Sequence, residues 1–295
     1  MSYSEPRPLV LFIDFDETIT EHDTLSLIAP PNGTHPGPDF STYVDAYVAD
    51  LKAHEDSYSQ DRSTLAGQLT FLESLDEIEL TSQKRIEDGG LFVGFDPVKM
   101  EERAKSVRVR RGWKEVMARP AVSSLEAHIV SVGWSARFIE AVLDGSLKPN
   151  SICANEVEID VDTGKGTGRL TKSHDIGMSE GRFCMRIAKH KTREIKRILG
   201  NRRGDVLSIY AGDSNTDLPS LLEADVGLIL GDGTGIKKTL ERLGLASSLS
   251  ASIDDWRKKR QEAGERQEHD LVAVSDWFEA AQVIEAVMGE GKKNS

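Results

Sequence analysis

Two aspartates one residue apart, Asp14 and Asp16, follow directly on the apolar run "LVLFI" of residues 9–13, and a threonine and further acids follow them in "DFDETITEHDT". Carboxylates grouped at a buried strand end repel one another, and they stay ionised only where a cation or hydrogen-bond donors compensate them. Two more aspartates, Asp213 and Asp217, stand in "AGDSNTD" at the end of the apolar run Val206–Ala211, and Ser131 ends another run in "IVSVGWS". In an open α/β sheet, ligands bind outside the carboxyl ends of the strands, so four carboxylates and a hydroxyl are expected at one rim. Mg²⁺ is the cation such a set would take, a hard ion with oxygen ligands that keeps waters and substrate phosphate oxygens in its shell. Asp217 is also placed to cap the helix "LPSLLEA", with Pro219 in its first turn.

A phosphate needs a cation as well, and the segment "AKHKTREIKRILG" supplies several. With Ile195, Ile198 and Leu199 as the buried face, at about 100° per residue Lys191 falls about 40° from Ile195 and Lys189 about 120° away. Lys191 is therefore the inward lysine of the first helical turn, whereas Lys189, Arg193, Lys196 and Arg197 read as solvated surface. An inward lysine requires a partner, and the acidic cluster is the one at hand.

The elements that must position these residues alternate. Strand-like runs at Leu9–Ile13, His128–Val132, Val206–Ala211, Val226–Leu230 and Leu271–Val274 precede helical patterns at Ala136–Leu143, Ala188–Leu199, Leu218–Ala224, Ile236–Leu243 and Trp277–Val287. Such alternation predicts an α/β fold, a doubly wound, Rossmann-like parallel sheet covered on both faces. The stretch from about 24 to 118 breaks the rule. It has no convincing strand, but "FSTYVDAYVADLKAH" sets Phe40, Val44, Tyr47, Val48 and Leu51 at helical spacing, and "LAGQLTFLESLDEIEL" and "PVKMEERAKSV" continue in kind. The expected division is a core of residues 1–20 and 119–295 with a small helical cap, residues 21–118, inserted after the first strand. "CANEVEIDVDTGKGTGRL" reads as a hairpin with a Gly-rich turn, and "WRKKRQEAGERQEHD" as a charged, solvated helix. No helix follows "DTGKGTG", so it is no phosphate-binding P-loop; "GDGTG" reads as a strand-to-helix turn.

Composition narrows the class. The 295 residues carry a net charge of −12 with no block of consecutive Lys or Arg, which argues against nucleic acid as a partner. No apolar run approaches the roughly 20 residues that span a bilayer, and "MSYSEPRP" lacks the features of a signal peptide, so a cytoplasmic protein without a membrane partner is expected. Cys153 and Cys184 lack metal-ligand spacing and read as reduced structural thiols.

Taken together, "DFDET" after a first strand, Ser131 after a second, Lys191 at a helix start and "GDSNTD" after the next strand resemble the haloacid dehalogenase superfamily of aspartate-nucleophile phosphatases. The helical insert resembles the cap of the phosphoserine-phosphatase-like branch. The resemblance implies that Asp14 is the nucleophile and forms an aspartyl-phosphate, that Asp16 is the general acid and base, and that Ser131 and Lys191 hold the phosphoryl oxygens. It places Mg²⁺ on Asp14, the backbone carbonyl of Asp16 and Asp213, with Asp217 behind them or acting through water. Ser135 is the weaker rival to Ser131, because it lies in the turn toward the next helix. The second aspartate points to phosphate esters rather than carbon–halogen bonds.

The substrate expected is a small phosphorylated metabolite. "DFDETI" looks like the phosphocholine and phosphoethanolamine phosphatases, whereas "SVGWSARFIEAVL", "ANEVEID" and "LLEADVGLIL" look like the domain that plants fuse to a thiaminase-like domain and that hydrolyses thiamine monophosphate. Glu21, Asp23 and Trp134, near the site in sequence, are candidates to bind a cationic nitrogen through charge and a π face. A phosphoserine-type phosphatase and a non-catalytic scaffold that binds a phosphorylated ligand are the competing readings.

Overall fold

The computed structural model describes residues 7–177, 184–263 and 269–293. The N-terminal residues 1–6, part of the segment read as lacking a signal peptide, lie outside them, as do residues 264–268 of the charged segment. The first strand, β1 (Leu9–Ile13), buries all five side chains. Leu9, Leu11 and Ile13 enter one core while Val10 and Phe12 enter the other, as the two-residue period of a strand between two covered faces requires. At about 2 kcal/mol for each buried apolar side chain, β1 alone contributes about 10 kcal/mol of favourable transfer, before entropy.

Seven helices follow: α1 (Leu25–Ile28), α2 (Phe40–Ser57), α3 (Leu65–Ser74), α4 (Asp76–Asp88), α5 (Pro97–Ala104), α6 (Trp113–Met117) and α7 (Pro120–Ser123). The segment read as one helical run over 65–80 divides at Leu75, between α3 and α4. Then come β2 (Glu126–Val130), α8 (Ala136–Leu143), β3 (Ser151–Cys153), the hairpin β4 (Asn155–Ile159) and β5 (Gly166–Lys172), and α9 (Ala188–Leu199). The chain continues with β6 (Leu207–Gly212), α10 (Leu218–Glu223), β7 (Val226–Leu230), α11 (Thr234–Arg242), β8 (Leu249–Ser250), α12 (Ile253–Ala263), β9 (Leu271–Val274) and α13 (Trp277–Lys293).

The main sheet has seven strands in the order β3-β2-β1-β6-β7-β9-β8, and every neighbouring pair is parallel. This is the expected doubly wound architecture, with the strand order reversing between β1 and β6. Two short strands, β3 and β8, went unread, because two or three residues carry too little periodicity to detect. β2 begins two residues earlier than its apolar run: Glu126 pairs with Val10, and the chain leaves the sheet at Ser131. Among the described residues no helix is long and apolar enough to cross a membrane.

The helix read from Phe40, Val44, Tyr47, Val48 and Leu51 is α2, but these residues are not fully buried: among the residues of α2 only Tyr43 is, and Val44 and Val48 are 40% and 55% exposed. The stripe instead walls a cavity shared with α4. By contrast α6 is sealed: Trp113 stacks edge-on to Trp277 of α13 with centroids 4.8 Å apart.

Candidate active site

Asp14 sits at the carboxyl end of β1, its amide donating to the carbonyl of Ala211 on β6 at 2.9 Å, directly at the point where the strand order reverses. The chain then coils tightly: the amides of Ile19 and Thr20 both donate to the carbonyl of Phe15, and Glu17 takes a left-handed φ of 55°. Three long-range contacts hold this turn. Thr18 Oγ1 donates to Asp213 Oδ1 at 3.0 Å, Trp277 Nε1 donates to the carbonyl of Thr18 at 3.1 Å, and the Arg110 guanidinium donates to the carbonyl of Glu17. Asp16 is half-buried, and its Oδ1 accepts from both the amide and the hydroxyl of Thr24, at 2.8 and 2.6 Å.

Lys191, in the first turn of α9, is 1% exposed and reaches Asp14 Oδ1 and Asp217 Oδ1, each at 2.7 Å. The helical phase that marked it as the inward lysine is thus observed, and Lys189, Arg193, Lys196 and Arg197 are exposed. Asp217 is fully buried and its oxygens are saturated. Oδ1 also accepts from Tyr210 Oη at 2.7 Å, and Oδ2 from the amides of Asp213 and Ser214 and the Ser214 hydroxyl. It makes no hydrogen bond as a side-chain cap of α10. One oxygen from each of Asp14, Asp213 and Asp217 lies within 4.8 Å of the others.

Burial and mutual repulsion dominate the electrostatics. Burial first and Asp217 second push the Asp14 carboxyl well above the usual range, against the pull of Lys191. The same two causes raise Asp213 to about 7, and burial raises Asp16 to about 6. Although burial opposes its ionisation too, Asp217 stays below the ordinary value because Lys191 and Tyr210 hold it charged. Asp14 and Asp213 repel one another and the saturated Asp217 behind them, Lys191 is the only cation bound among the three in the described residues, and the Asp14 and Asp213 oxygens fit a hard divalent ion such as Mg²⁺.

Ser131 lies just past β2, buried, with its Oγ accepting from the amide of Gly133 at 2.9 Å. A Cβ at Gly133 would stand 3.1 Å from that Oγ and 3.6 Å from Asp16 Oδ2, so the glycine is the spacer between the two groups. Ser135 is committed elsewhere: its Oγ accepts from the Phe138 amide as the cap of α8 and donates to Glu156. Asp23 and Trp134 both line the cavity of about 450 Å³ beside this cluster, and Thr216 of "GDSNTD" lines it as well. Glu21 and Asp23 are both exposed, and only Asp23 is among the lining residues. Thr18, Thr24, Gly133 and Tyr210 went unread as site residues. Thr18 had a signal in its place beside the paired aspartates, whereas Tyr210 reads as an ordinary strand aromatic.

No protein-family model matches the chain. It is 28% identical over 233 residues to a CTO1 family protein of Schizosaccharomyces pombe, covering 75% of this chain and 81% of that one. It is 23% identical over 252 residues to the mitochondrial bifunctional TH2 protein of Arabidopsis thaliana, covering 80% of this chain and 39% of that protein. Among solved structures, a phospho-aspartyl intermediate analogue of phosphoserine phosphatase superposes with a TM-score of 0.50 at 14% identity, covering 96% of this chain and 99% of that one. That likeness shows the fold.

Proposed function

We propose that this chain, which has the haloacid dehalogenase fold, is a Mg²⁺-dependent phosphomonoesterase that works through an aspartyl-phosphate. The observation that carries the reading is the buried bridge from Asp14 through Lys191 to Asp217, set at the reversal of strand order with Asp213, Asp16 and Ser131 around it. Asp14, Asp213 and the carbonyl of Asp16 would hold the ion, and saturated Asp217 would fix Lys191 and the "GDSNTD" loop behind them. When bound, Mg²⁺ supplies charge stabilisation to the phosphoryl group.

The protein's own residues do the rest. Asp14 attacks phosphorus in line, the P–O bond to the leaving group breaks, and Asp16 delivers its proton to the departing oxygen. A carboxyl raised to about 6, with one oxygen tied to Thr24, suits a group that must carry that proton near neutrality. Asp16 then takes a proton from water, which attacks the aspartyl-phosphate and frees Asp14. Lys191 and Ser131 Oγ hold phosphoryl oxygens throughout. The helices inserted after β1, expected over 21–118, act as the cap, with α2 and α4 walling the cavity for the leaving group. Asp23 and Trp134 favour a cationic leaving group there, with thiamine monophosphate as the first candidate substrate. The reduced, buried Cys153 and Cys184 accord with a cytoplasmic setting.

The test is hydrolysis of p-nitrophenyl phosphate, abolished by EDTA and restored by Mg²⁺. Asp14→Asn is expected to lose at least about 10³-fold in kcat/KM while keeping its fold by circular dichroism. Near-parental turnover in that variant would overturn the mechanism. Asp16→Asn is expected to turn over slowly and to accumulate the aspartyl-phosphate, seen after acid quench as a phosphoryl mass increase of the intact protein; hydrolysis at the parental rate would remove Asp16 from its role.

A further inference from the structure

The cavity has a chemical polarity that phosphate chemistry does not explain. Its far wall is α4, which presents Glu79, Gln83 and Ile86 on one face, at the three-, four- and seven-residue spacing of a helix. Glu79 Oε1 accepts from Tyr47 Oη at 2.7 Å, and its carboxylate makes no other hydrogen bond among the described residues. Gln83 spends its amide nitrogen on Glu87 at 3.0 Å, and its Oε1 is buried with no partner among the described residues. Two donors by this wall are committed, Tyr47 to Glu79 and the Arg186 guanidinium to Asp76 and the carbonyl of Cys184, whereas the Tyr43 hydroxyl elsewhere on the cavity lining has no partner among the described residues. This wall therefore offers acceptors and negative charge, and a ligand completes it by bringing N–H donors. Burial also raises the Glu79 carboxyl, and the Tyr47 hydrogen bond and the charge of Arg186, which lines the same cavity, oppose the rise.

Size and shape narrow the ligand further. About 450 Å³ is ample for a heterocycle and far more than a serine side chain fills. Trp134 and Phe40 meet edge to face with centroids 5.9 Å apart, an aromatic side wall that suits a planar body. A quaternary ammonium has no N–H to give, so choline leaves both acceptors unmet.

We infer that Glu79, with Gln83, is the specificity determinant of this site, receiving the N–H donors of a planar, amino-substituted nitrogen heterocycle in the leaving group. The inference rests on the phosphomonoesterase reading above. It is tested by comparing kcat and KM for thiamine monophosphate, phosphocholine and p-nitrophenyl phosphate in the parent, Glu79→Gln, Gln83→Leu and, as a control on the outer face of α4, Glu77→Gln. Glu79→Gln keeps the side-chain shape and an acceptor for Tyr47. It is expected to raise KM for thiamine monophosphate about tenfold with kcat within about twofold, and to lower the kcat/KM ratio of thiamine monophosphate to p-nitrophenyl phosphate by the same factor. Gln83→Leu is expected to move the ratio in the same direction, and Glu77→Gln to leave it unchanged. A uniform loss on all three esters in Glu79→Gln would reduce Glu79 to a structural role and overturn the inference. So would a parent that hydrolyses p-nitrophenyl phosphate but prefers phosphocholine. A parent inactive on every ester with Mg²⁺ present would overturn the phosphomonoesterase reading itself, and this inference with it.

Discussion

Lys191 stands between Asp14 and Asp217 with almost no water-facing surface to relieve the three charges. Removing one member of a buried ionic group leaves the others uncompensated, which is more damaging than replacing the whole set. Lys191→Met is therefore expected to lower stability by about 3–5 kcal/mol in urea melts without divalent cation. A loss below about 1 kcal/mol would show that the carboxylates neutralise themselves by taking up protons. Gly133 makes a steric argument at the same scale. Its φ is outside the left-handed region, so alanine is acceptable to the backbone, and the added methyl meets Ser131 Oγ at 3.1 Å. Gly133→Ala is expected to fold normally and to lose about tenfold or more in kcat, because small displacements of phosphoryl-holding groups are felt strongly. Parental kcat would show that Ser131 shifts freely or is not used.

Elements meet at the carboxyl edge of the sheet because each strand hands its chain directly to a turn. After β2, the hydroxyl of Ser131 stays in the turn, and four residues later Ser135 opens α8, bonded to Phe138 and Glu156. Two serines so close in sequence thus have separate duties. Ser135→Ala is expected to cost about 1–2 kcal/mol of stability, the usual worth of an N-cap, with kcat/KM changed less than about twofold. A tenfold loss of activity at unchanged stability would reverse the assignment of the two serines. Asn155, opening β4, serves positioning as well: its side chain bonds the carbonyls of Val132 and Met185 and the Met185 amide, tying two cavity-lining segments together.

At the scale of the molecule, the inserted helices rest on α9 through charges. Arg186 pairs with Asp76 at 3.0 Å and Lys189 with Glu73 at 2.7 Å, and buried His190 feels the charges of Asp76, Arg186 and Lys189. His190 Nδ1 accepts from the Arg186 amide, which requires the neutral ring, and burial pushes its pKa from 6.5 down to about 4. Asp76 draws it upward, and Arg186, Arg193 and Lys189 downward. A depressed histidine pKa means that the unfolded chain binds the proton first. Its contribution is therefore complete above pH 6.5 and is lost as pH falls from 6.5 toward 4. Thermal melts of the parent and His190→Asn over that window are expected to differ in slope, the variant being flatter. Parallel curves would show that His190 is protonated without strain in the fold.

The strand-and-helix alternation, the doubly wound sheet and the line of Asp14, Asp16, Ser131, Lys191 and Asp213 along its rim were all legible in the order of residue types. These are local quantities: an apolar run ends, a chemical group follows, or a helical phase turns one lysine inward. The use of the α2 stripe was not legible there, because spacing shows that a face is apolar and not whether protein or a cavity lies opposite. Packing also set Tyr210 on Asp217 and Thr18 on Asp213, left Glu21 off the cavity that Asp23 lines, and put Glu79 and Trp134 on the walls of that one cavity. Those relations join residues far apart in the chain, and their energies come from burial and hydrogen-bond partners that exist only once the layers have packed.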